Sequence, residues 1–475
     1  MKGSMSTFLS ILHLVLFSLV ALRVLSRPQL NAHTRTAWVF VLLVLPFAGV
    51  ALYLVIGEIH FRGPDRKKFD EALAATHDLV KASGEKPDLE KWGPASGFAT
   101  SINSFGVTTG NRAELLDSPA GARRRLVEDM DAAAETINVF YYIWLDDNTG
   151  RDVAEALIRA AERGVRCRAA VDAIGSRSFI SSPTWARMKE AGVETYVALP
   201  IGNPLRTLLY RRLDLRNHRK ITVIDGRICH CGSQNCADPE FLPKARFAPW
   251  VDIMVRFEGP VAHQMNLLFA QNWLAGHAPE PSAFAREVPG LPGGFAAQVV
   301  GTGPNISRDV SAQLFSRIIF EARRELIITT PYFVPGEVVC AALLGSAIAG
   351  VKVTLIVPRR NDSRFVAGAS RSYYPKLVAA GVTIAEYNGG LLHSKTMTVD
   401  GRMTFMGSSN MDIRSFDLNF ENDVLFSDEA LTADVRRRQM EYLADSTLVD
   451  PAEVRAWPIW RRIWLNAFAT MGPLL

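Results

Sequence analysis

The stretch NHRKITVIDG, residues 217–226, decides the fold, because the chain carries it a second time as LHSKTMTVDG, residues 392–401. In both copies a lysine stands two positions after the histidine, an aspartate stands seven positions after it, and a glycine closes the run. Residues two apart on a strand project to the same face, so each histidine is expected beside its lysine. Asp-Gly is a favoured two-residue hairpin turn, so each copy predicts a strand that turns back on itself.

The return strand of each predicted hairpin ends in a shared Gly-Ser-x-Asn signature. It brings a serine and an asparagine back toward the His-Lys end, where their side chains can form hydrogen bonds. Six matched positions in two halves of one chain indicate an internal duplication, whereas a single His-x-Lys would be a weak signal. The residues of this signature are Gly232, Ser233 and Asn235 in the first copy and Gly407, Ser408 and Asn410 in the second.

Two such hairpins, packed about a pseudo-twofold axis, would surround one cavity with imidazole, ammonium, hydroxyl and amide groups. That set suits a phosphate diester and requires neither a metal nor a cofactor. One histidine can attack phosphorus while the other protonates the leaving oxygen. The candidate catalytic residues are His218, Lys220, Asp225, His393, Lys395 and Asp400, and the candidate phosphate-binding residues are Ser233, Asn235, Ser408 and Asn410. The two aspartates have a plainer alternative role, which is to hold the hairpin turn.

Length and composition limit the class of protein without naming its partner. A chain of 475 residues predicts two or three structural units. A hydrophobic fraction of 48% and a mean hydropathy of +0.08 are high for a soluble protein. The net charge of +5 suits an anionic lipid surface at least as well as nucleic acid. A zinc site in CHCGSQNC, residues 229–236, is disfavoured because alternate residues of a strand face opposite sides.

Two apolar segments within residues 1–60 predict a transmembrane helical hairpin. Residues 36–56 contain no charge and are long enough to cross a bilayer as one helix, with Pro46 tolerated inside it. The earlier segment, residues 4–22, is preferred as a first helix over a signal peptide, because no cleavage site precedes Arg23. More basic residues flank the outer ends of this hairpin than lie in its loop, which favours a cytoplasmic catalytic region.

The rest of the chain predicts a linker, residues 61–110, followed by two pseudo-symmetric lobes, residues 111–290 and 291–475. The expected fold class is α/β, with a mixed sheet flanked by helices, because buried strand-like runs alternate with helix-like segments. Tryptophans beside arginines in AWPIWRRIWLNAF, residues 456–468, predict a C-terminal helix at a membrane interface. A terminal helix docked on the second lobe is the alternative.

The doubled H-x-K-x4-D followed by G-S-x-N resembles the signature of the phospholipase D superfamily. The likeness covers nearly the whole chain and narrows to the bacterial cardiolipin synthases, to which ITTPYFVPGE, SRSYYPKLVAAGV and GSSNMDIRSFDLNFE are similar. The resemblance implies the two-lobed phospholipase D fold and, in a bacterial inner membrane, condensation of two phosphatidylglycerols to cardiolipin and glycerol. It also implies ping-pong chemistry through a phosphohistidine, with His218 as nucleophile and His393 as acid and base.

The same resemblance implies a carboxylate hydrogen-bonded to each histidine, at Asp252 in WVDIMVRFEGP and at Glu421 in NFENDV. From the residues alone, these could equally be ordinary surface or capping charges. The first half departs from the family pattern at GSQNCADPEF, which stands where many relatives have a Gly-Gly pair. The first phosphate cradle is therefore less well defined than the second.

The duplicated histidines do not discriminate among acceptors. Water as acceptor would make the protein a phospholipase D, and serine or ethanolamine would make it a different phospholipid synthase. A nuclease would be a soluble chain with a basic groove that bears aromatic residues, and the hydrophobic segments argue against it. A catalytically dead scaffold would have lost a histidine or a lysine, and none is lost. The expected partners are phosphatidylglycerol and other anionic phospholipids in a bilayer, with no nucleic acid.

Overall fold

The computed structural model of the protein describes residues 2–28, 30, 32–45, 47–58, 61–85, 88–306 and 309–470. The helices in chain order are α1 Lys2–Leu25, α2 Ala32–Val44, α3 Ala48–Leu52, α4 Gly63–Ala82, α5 Leu89–Asn103, α6 Pro119–Asp131, α7 Asn148–Glu162, α8 Arg177–Ile180, α9 Pro183–Glu190, α10 Pro204–Tyr210, α11 Pro260–Leu274, α12 Val310–Glu321, α13 Gly336–Ile348, α14 Arg364–Ser372, α15 Tyr374–Ala379, α16 Ile413–Asp417, α17 Glu429–Ala444, α18 Pro451–Arg455 and α19 Ile459–Thr470.

The strands in chain order are β1 Thr108–Leu115, β2 Thr136–Tyr141, β3 Arg166–Asp172, β4 Glu194–Ala198, β5 Arg216–Asn217, β6 Lys220–Ile224, β7 Ile228–Gly232, β8 Trp250–Val251, β9 Met254–Glu258, β10 Phe295–Thr302, β11 Glu325–Thr329, β12 Phe333–Val334, β13 Lys352–Pro358, β14 Thr383–Tyr387, β15 Leu391–Leu392, β16 Thr396–Val399, β17 Met403–Gly407, β18 Met411–Asp412, β19 Asn419–Ser427 and β20 Ser446–Leu448. The chain forms two units, a smaller one of Met1–Gly63 with Ile201–Asp214 and a larger one of Pro64–Pro200 with Leu215–Leu475.

The smaller unit contains the predicted membrane segments. Within α1, Thr7–Leu25 is the one stretch of helix, among the described residues, that is long and apolar enough to cross a membrane. The second predicted span, residues 36–56, is not one continuous helix: α2 ends at Val44, α3 begins at Ala48, and a π-helical turn completes the segment. Pro46 lies outside the described residues. A proline lacks the backbone donor that a continuing helix needs, which accounts for a helix that ends just before it.

The larger unit is built on one mixed sheet, and this confirms the expected fold class. The strand order is β20-β14-β13-β11-β16-β17-β19-β10-β1-β9-β7-β6-β2-β3-β4, and β5 adds to β19. The order repeats about the β10–β1 pair, because β2, β3 and β4 are parallel neighbours in the first half, and β11, β13 and β14 repeat that arrangement in the second. The internal duplication predicted from the motifs is therefore a duplication of the sheet.

The predicted hairpins are β6–β7 and β16–β17, and both are antiparallel. Their turns need two successive residues with positive φ, as a type I′ turn requires. Asp225 and Gly226 have φ values of 49° and 66°, and Asp400 and Gly401 have values of 53° and 71°. Aspartate tolerates this conformation and glycine adopts it without cost, so the sequence favours the turn at both positions.

Candidate active site

One cavity of about 960 Å³ receives side chains from both halves of the duplication. His218 and His393 both line it, and they are almost completely buried, with exposed fractions of 8% and 2%. Asn235 and Asn410, from the two return strands, line the same cavity. The structure therefore brings together the two histidines and the two asparagines that the repeat singles out.

Each histidine is hydrogen-bonded to a carboxylate from the opposite half of the duplication. Nδ1 of His218 lies 2.9 Å from Oε2 of Glu421, and Nδ1 of His393 lies 2.6 Å from Oδ1 of Asp252. Because Nδ1 is engaged in each ring, Nε2 is the nitrogen left to react. The resemblance placed a carboxylate beside each histidine but did not say from which half it would come.

Two short parallel strand pairs bring each histidine next to the carboxylate of the other half. The segment that leads to His218, β5, pairs with the start of β19, which carries Glu421. In the other half, β15 leads to His393 and pairs with β8, which precedes Asp252. The backbone N–H of His218 donates to the carbonyl of Phe420 at 2.9 Å, and that of His393 donates to the carbonyl of Val251 at 2.8 Å. Each histidine is thus fixed to the other half through both its backbone and its ring.

Each lysine of the motif folds back against its own histidine. Nζ of Lys220 donates to the carbonyl of His218, and Nζ of Lys395 donates to the carbonyl of His393, both at 2.7 Å. An ammonium group has three donors, so further donors remain for a ligand. Burial lowers the pKa of Lys220, and it lowers that of Lys395 to about 7. A bound anion would reverse these shifts and hold both ammonium groups in their charged form.

The two serines hold the carboxylates rather than line the cavity. Oγ of Ser233 donates to Asp252 at 2.6 Å and accepts the backbone N–H of Ile253, and Oγ of Ser408 donates to Glu421 at 2.5 Å. A hydroxyl has a single hydrogen to donate, so neither serine has one left for a phosphate. The predicted phosphate-binding role of Ser233 and Ser408 is corrected accordingly, and we assign them the positioning of the carboxylates.

The two asparagines line the cavity, and their predicted phosphate-binding role stays a prediction. The buried Oδ1 atoms of Asn235 and Asn410 have no hydrogen-bond partner within the described part of the chain. Buried amide atoms normally have a partner, so an exception at a cavity wall indicates where a ligand group would bind. Oxygen and nitrogen of such an amide are assigned from the surrounding hydrogen bonds, and either orientation leaves a polar atom for the ligand.

Asp225 and Asp400 are not brought together with the histidines. Each lies at the far end of its hairpin, where its carboxylate accepts backbone N–H groups of the neighbouring strand. Asp225 accepts from residues 134–136 and Asp400 from residues 323–325, at distances of 2.8–3.0 Å. The alternative of a turn-holding role describes both, and the catalytic role expected for them is replaced by a structural one.

Burial sets the protonation of both histidines. It lowers the pKa of His218 well below the ordinary range, and the charges of Lys220 and Lys395 lower it further. Burial and Lys395 lower the pKa of His393 to about 4, although Asp252 opposes the shift. Both imidazoles are therefore neutral near pH 7, and an anionic ligand would favour their protonation.

The surroundings shift the pKa values of the two carboxylates in opposite directions. Burial alone would raise the pKa of Asp252, but His393, Lys395 and the Ser233 hydroxyl outweigh it and hold that pKa at about 2. Burial raises the pKa of Glu421 above the ordinary range, against the opposing charge of Lys220. Asp252 is thus a firmly ionised partner for His393, whereas Glu421 gives His218 a weaker negative field.

Two aromatic residues of the site were not predicted. The ring of Tyr142 lies 4.8 Å from that of His218, and the ring of Trp250 lies 4.6 Å from that of His393, and both line the cavity. Tyr142 of FYYIWL and Tyr332 of TTPYF stand at matching places in the two halves of the sequence, and both line the cavity, so the duplication contained a signal for Tyr142. Trp250 has no matching aromatic residue in the other half, and its closeness in sequence to Asp252 was the signal that could have identified it.

The residues weighed as zinc ligands face apart. Nε2 of His230 lies 2.8 Å from Oδ2 of Asp129 on one side of β7. Cys231, on the other side, accepts a hydrogen bond from Asn422 at 3.4 Å. Successive residues of β7 therefore face opposite sides, which is the alternation that the sequence predicted for this strand.

Known proteins resemble the chain over most of its length. A family described as "Cardiolipin synthase, PLD-like domain" matches residues 126–273 and 315–442, and one described as "Phospholipase_D-nuclease N-terminal" matches residues 15–58. The chain is 35% identical to cardiolipin synthase A of Edwardsiella ictaluri over 494 residues, covering 99% of this chain and 100% of the relative. It is also 35% identical to cardiolipin synthase A of Yersinia pestis over 477 residues, covering 96% of each.

Among solved structures, phosphatidylserine synthase of Haemophilus influenzae aligns with a TM-score of 0.56 at 15% identity, covering 76% of this chain and 93% of that one. At this identity the likeness concerns the fold alone. Together with the family match at residues 126–273 and 315–442, it supports a phospholipase D-like fold for the duplicated sheet.

Proposed function

The chain belongs to the family of cardiolipin synthases with phospholipase D-like domains, and we propose that it transfers a phosphatidyl group from one phosphatidylglycerol to another, giving cardiolipin and glycerol. The observation that carries this proposal is the convergence of His218 and His393 on one cavity, where the carbonyl of each histidine accepts a hydrogen bond from the lysine of its own motif. Two histidines allow a double displacement, in which the enzyme holds the phosphatidyl group between donor and acceptor.

In the first half-reaction, Nε2 of His218 attacks the phosphorus of the donor lipid. Binding of the anionic lipid favours the imidazolium form of His393. The bond from phosphorus to the headgroup glycerol oxygen breaks, and this imidazolium gives the proton of its Nε2 to that oxygen. Glycerol leaves, and the phosphatidyl group stays on His218 as a phosphohistidine. In the second half-reaction, His393 takes the proton of a primary hydroxyl of a second phosphatidylglycerol. The freed oxygen attacks phosphorus, the bond to His218 breaks, and cardiolipin forms.

The assignment of the two histidines rests on their carboxylates. A general acid must hold a proton, and the ionised Asp252 stabilises a protonated His393. A nucleophile must be neutral, and Glu421, with its raised pKa, supports protonation of His218 less. This difference favours His218 as the nucleophile and His393 as the acid and base.

Lysine and asparagine groups supply the stabilisation of charge in this proposal. Lys220 and Lys395 are held beside the histidines by hydrogen bonds to the histidine carbonyls, and each ammonium group keeps donors that this bond does not use. Fixed donors in a cavity of low dielectric stabilise the charge that develops on the phosphoryl oxygens. Asn235 and Asn410 add amide groups from the return strands, and no step calls for a metal or a cofactor.

We place the enzyme in a bacterial inner membrane, anchored by residues 1–60 in a multi-pass arrangement, with a cytoplasmic catalytic region. The lobes of the catalytic region are residues 111–290 and 291–475, preceded by a linker of residues 61–110. The apolar span in α1 supports the anchor. Phosphatidylglycerol and other anionic phospholipids are the partners that such a location offers.

The C-terminal helix α19 supports a second contact with the membrane. On one side Phe468 packs against Phe365 of α14, with ring centroids 5.5 Å apart, and α14 contributes Val366 to the cavity wall. The other side exposes a run of large apolar side chains, Ile459, Trp460, Ile463 and Trp464, each more than 60% exposed. Arg461 and Arg462 lie in the same helix, so α19 combines exposed tryptophans with positive charge, as interfacial helices do.

A product assay tests the proposed function. Purified protein in mixed micelles receives phosphatidylglycerol alone, with a chelator present, and the lipids are read by mass spectrometry while free glycerol is counted. The expected result is cardiolipin and glycerol in equal amounts. Phosphatidic acid with glycerol, and no cardiolipin, would mean that water is the acceptor and would overturn the proposal. The variants His218→Ala and His393→Ala are both expected to lose turnover.

A further inference from the structure

The cavity wall has two equivalent loops, which follow the equivalent strands β3 and β13, and they differ in charge. The loop after β13 carries Asp362, whose carboxylate accepts the Tyr332 hydroxyl at 2.9 Å and forms an ion pair with Lys244. The loop after β3 ends at Arg177, which also lines the cavity. On one side of the cavity the positive charge is therefore neutralised, and on the other side it is not.

The guanidinium of Arg177 has no partner within the part of the chain that the structure describes. Its side chain is exposed and forms neither a hydrogen bond nor an ion pair there. Nearby arginines outside the cavity are paired, since Arg151 contacts Asp146 at 3.0 Å and Arg187 contacts Glu155 at 2.6 Å. An unpaired arginine in the wall of a cavity is a ready site for an anion, because its planar fork of donors matches a phosphate.

The loop that carries Arg177 is attached to the reacting centre. The carboxylate of Asp172 accepts the backbone N–H groups of Ile174, Gly175 and Asn217, the residue before His218, at 2.9–3.1 Å. The Ser176 hydroxyl donates to the carbonyl of Tyr142 at 3.0 Å, and the Tyr142 ring contacts His218. These bonds keep the backbone at Arg177 at a fixed position relative to His218.

The other cations in or near the cavity are engaged. Lys220 and Lys395 contact the histidines themselves, and Lys244 is paired with Asp362. Arg414 also lines the cavity, and its positive charge contributes, after burial and the lysines, to the lowered pKa of His218. Among the described cations that line the cavity, Arg177 is thus the one left without an interaction.

The chemistry of the proposed function requires a second phosphate site. A phosphatidylglycerol acceptor brings a phosphodiester that does not react, whereas water and free glycerol bring none. Moving that charge into a partly enclosed cavity is costly unless a cation meets it. We propose that Arg177 binds the non-reacting phosphate of the acceptor lipid and so favours a phosphatidylglycerol over water or glycerol as acceptor. This inference rests on the proposed function.

The test compares two acceptors in one enzyme. Wild type and Arg177→Gln receive phosphatidylglycerol together with isotopically labelled glycerol. Cardiolipin formation reports the acceptor with a phosphate. Labelled glycerol that is incorporated into phosphatidylglycerol reports the use of glycerol, the acceptor without a phosphate, because glycerol then attacks the same phosphohistidine. Arg227→Gln is the matched control, because Arg227 is also exposed and without a side-chain partner in the described chain, but it lies at the β6–β7 turn, outside the cavity wall.

Arg177→Gln is expected to lower the ratio of cardiolipin formed to label exchanged by about tenfold, mainly through a higher KM for the acceptor. Arg177→Lys should recover part of the ratio, and Arg227→Gln should leave it unchanged. An unchanged ratio in Arg177→Gln, whether both activities persist or fall together, would overturn the inference. A wild type that exchanges glycerol but makes no cardiolipin would instead overturn the proposed function itself.

Discussion

Nδ1 of His218 lies 2.9 Å from Oε2 of Glu421, a residue 203 positions further along the chain. The reciprocal contact joins His393 to Asp252 across 141 positions. Neither half of the duplication therefore contains a complete set of histidine and orienting carboxylate. The site is therefore complete only when the two halves dock. The short strand pairs β5–β19 and β8–β15, which join the halves, lie directly beside the histidines.

Replacing the carboxylate of Glu421 by an amide should reduce transfer without unfolding the protein. Glu421→Gln keeps the shape of a completely buried side chain but changes what Nδ1 of His218 can bond to. We expect kcat for cardiolipin formation to fall by about a hundredfold, since a wrongly held imidazole loses most of its catalytic contribution. The thermal midpoint is measured beside the rate. Glu429→Gln, an exposed glutamate at the start of α17, is the control.

The two histidines should differ in covalent trapping. A phosphatidyl ester of p-nitrophenol has a leaving group that needs no proton, so formation of the phosphohistidine no longer depends on the general acid. With this substrate, His393→Ala should accumulate an acid-labile phosphatidyl adduct and His218→Ala should form none. Intact-protein mass spectrometry after a rapid quench reads the adduct. An adduct that forms in His218→Ala but not in His393→Ala would mean that His393 is the nucleophile and His218 the general acid.

The duplication itself could be predicted from the sequence because its signals are local. Strand periodicity places His218 beside Lys220, and an Asp-Gly pair favours the turn that brings Asn235 back toward them. Reliance on local spacing also explains why the predicted phosphate-binding role of Ser233 had to be corrected. Spacing correctly predicts Ser233 at the end of the return strand, directly after Gly232. Whether its single hydrogen points to the cavity or to Asp252 depends on a neighbour distant in the sequence, which spacing does not reveal.

The crossed contacts could not be predicted in this way. The strand pairs that produce them are two residues long, and a run as short as β8 has no periodicity to detect. Arg177 was missed for a related reason. An arginine after a strand is ordinary in a sequence, and its lack of a carboxylate partner becomes visible only once the acidic residues around it are placed.

The aspartates of the motif should affect stability more than turnover. Asp400→Ala removes the acceptor of three backbone N–H groups at residues 323–325, and a turn with positive φ suits alanine less well. We expect the free energy of unfolding to fall by about 1–3 kcal/mol. The value of kcat, measured well below the unfolding midpoint, should change by less than about threefold. A large loss of kcat in Asp400→Ala with an unchanged unfolding midpoint would instead support a catalytic role for Asp400.

Lys395 should make stability rise with pH above neutrality. In the unfolded chain a lysine keeps its proton up to about pH 10, whereas in the folded protein burial lowers the pKa of Lys395 to about 7. Between these values the unfolded state binds more protons, so the free energy of unfolding increases as pH rises. Thermal midpoints from pH 7 to 9 should climb less steeply in Lys395→Met than in wild type. Lys67→Met, at an exposed lysine, should keep the wild-type slope, and equal slopes in all three would contradict the expectation.

The exposed face of α19 should enter the bilayer interface. Trp460 and Trp464 are 63% and 62% exposed, whereas Trp185 is buried in the first half of the duplication. Lipids brominated on the acyl chains quench only tryptophans that reach the hydrocarbon, so quenching should fall when Trp460→Phe and Trp464→Phe are combined. Trp185→Phe, the control, should leave the quenched fraction unchanged. Because Phe468 fixes α19 to α14, and α14 lines the cavity, insertion of this face would hold the cavity wall against the lipid surface from which the substrate comes. Equal quenching in the double variant and wild type would mean that α19 stays in water.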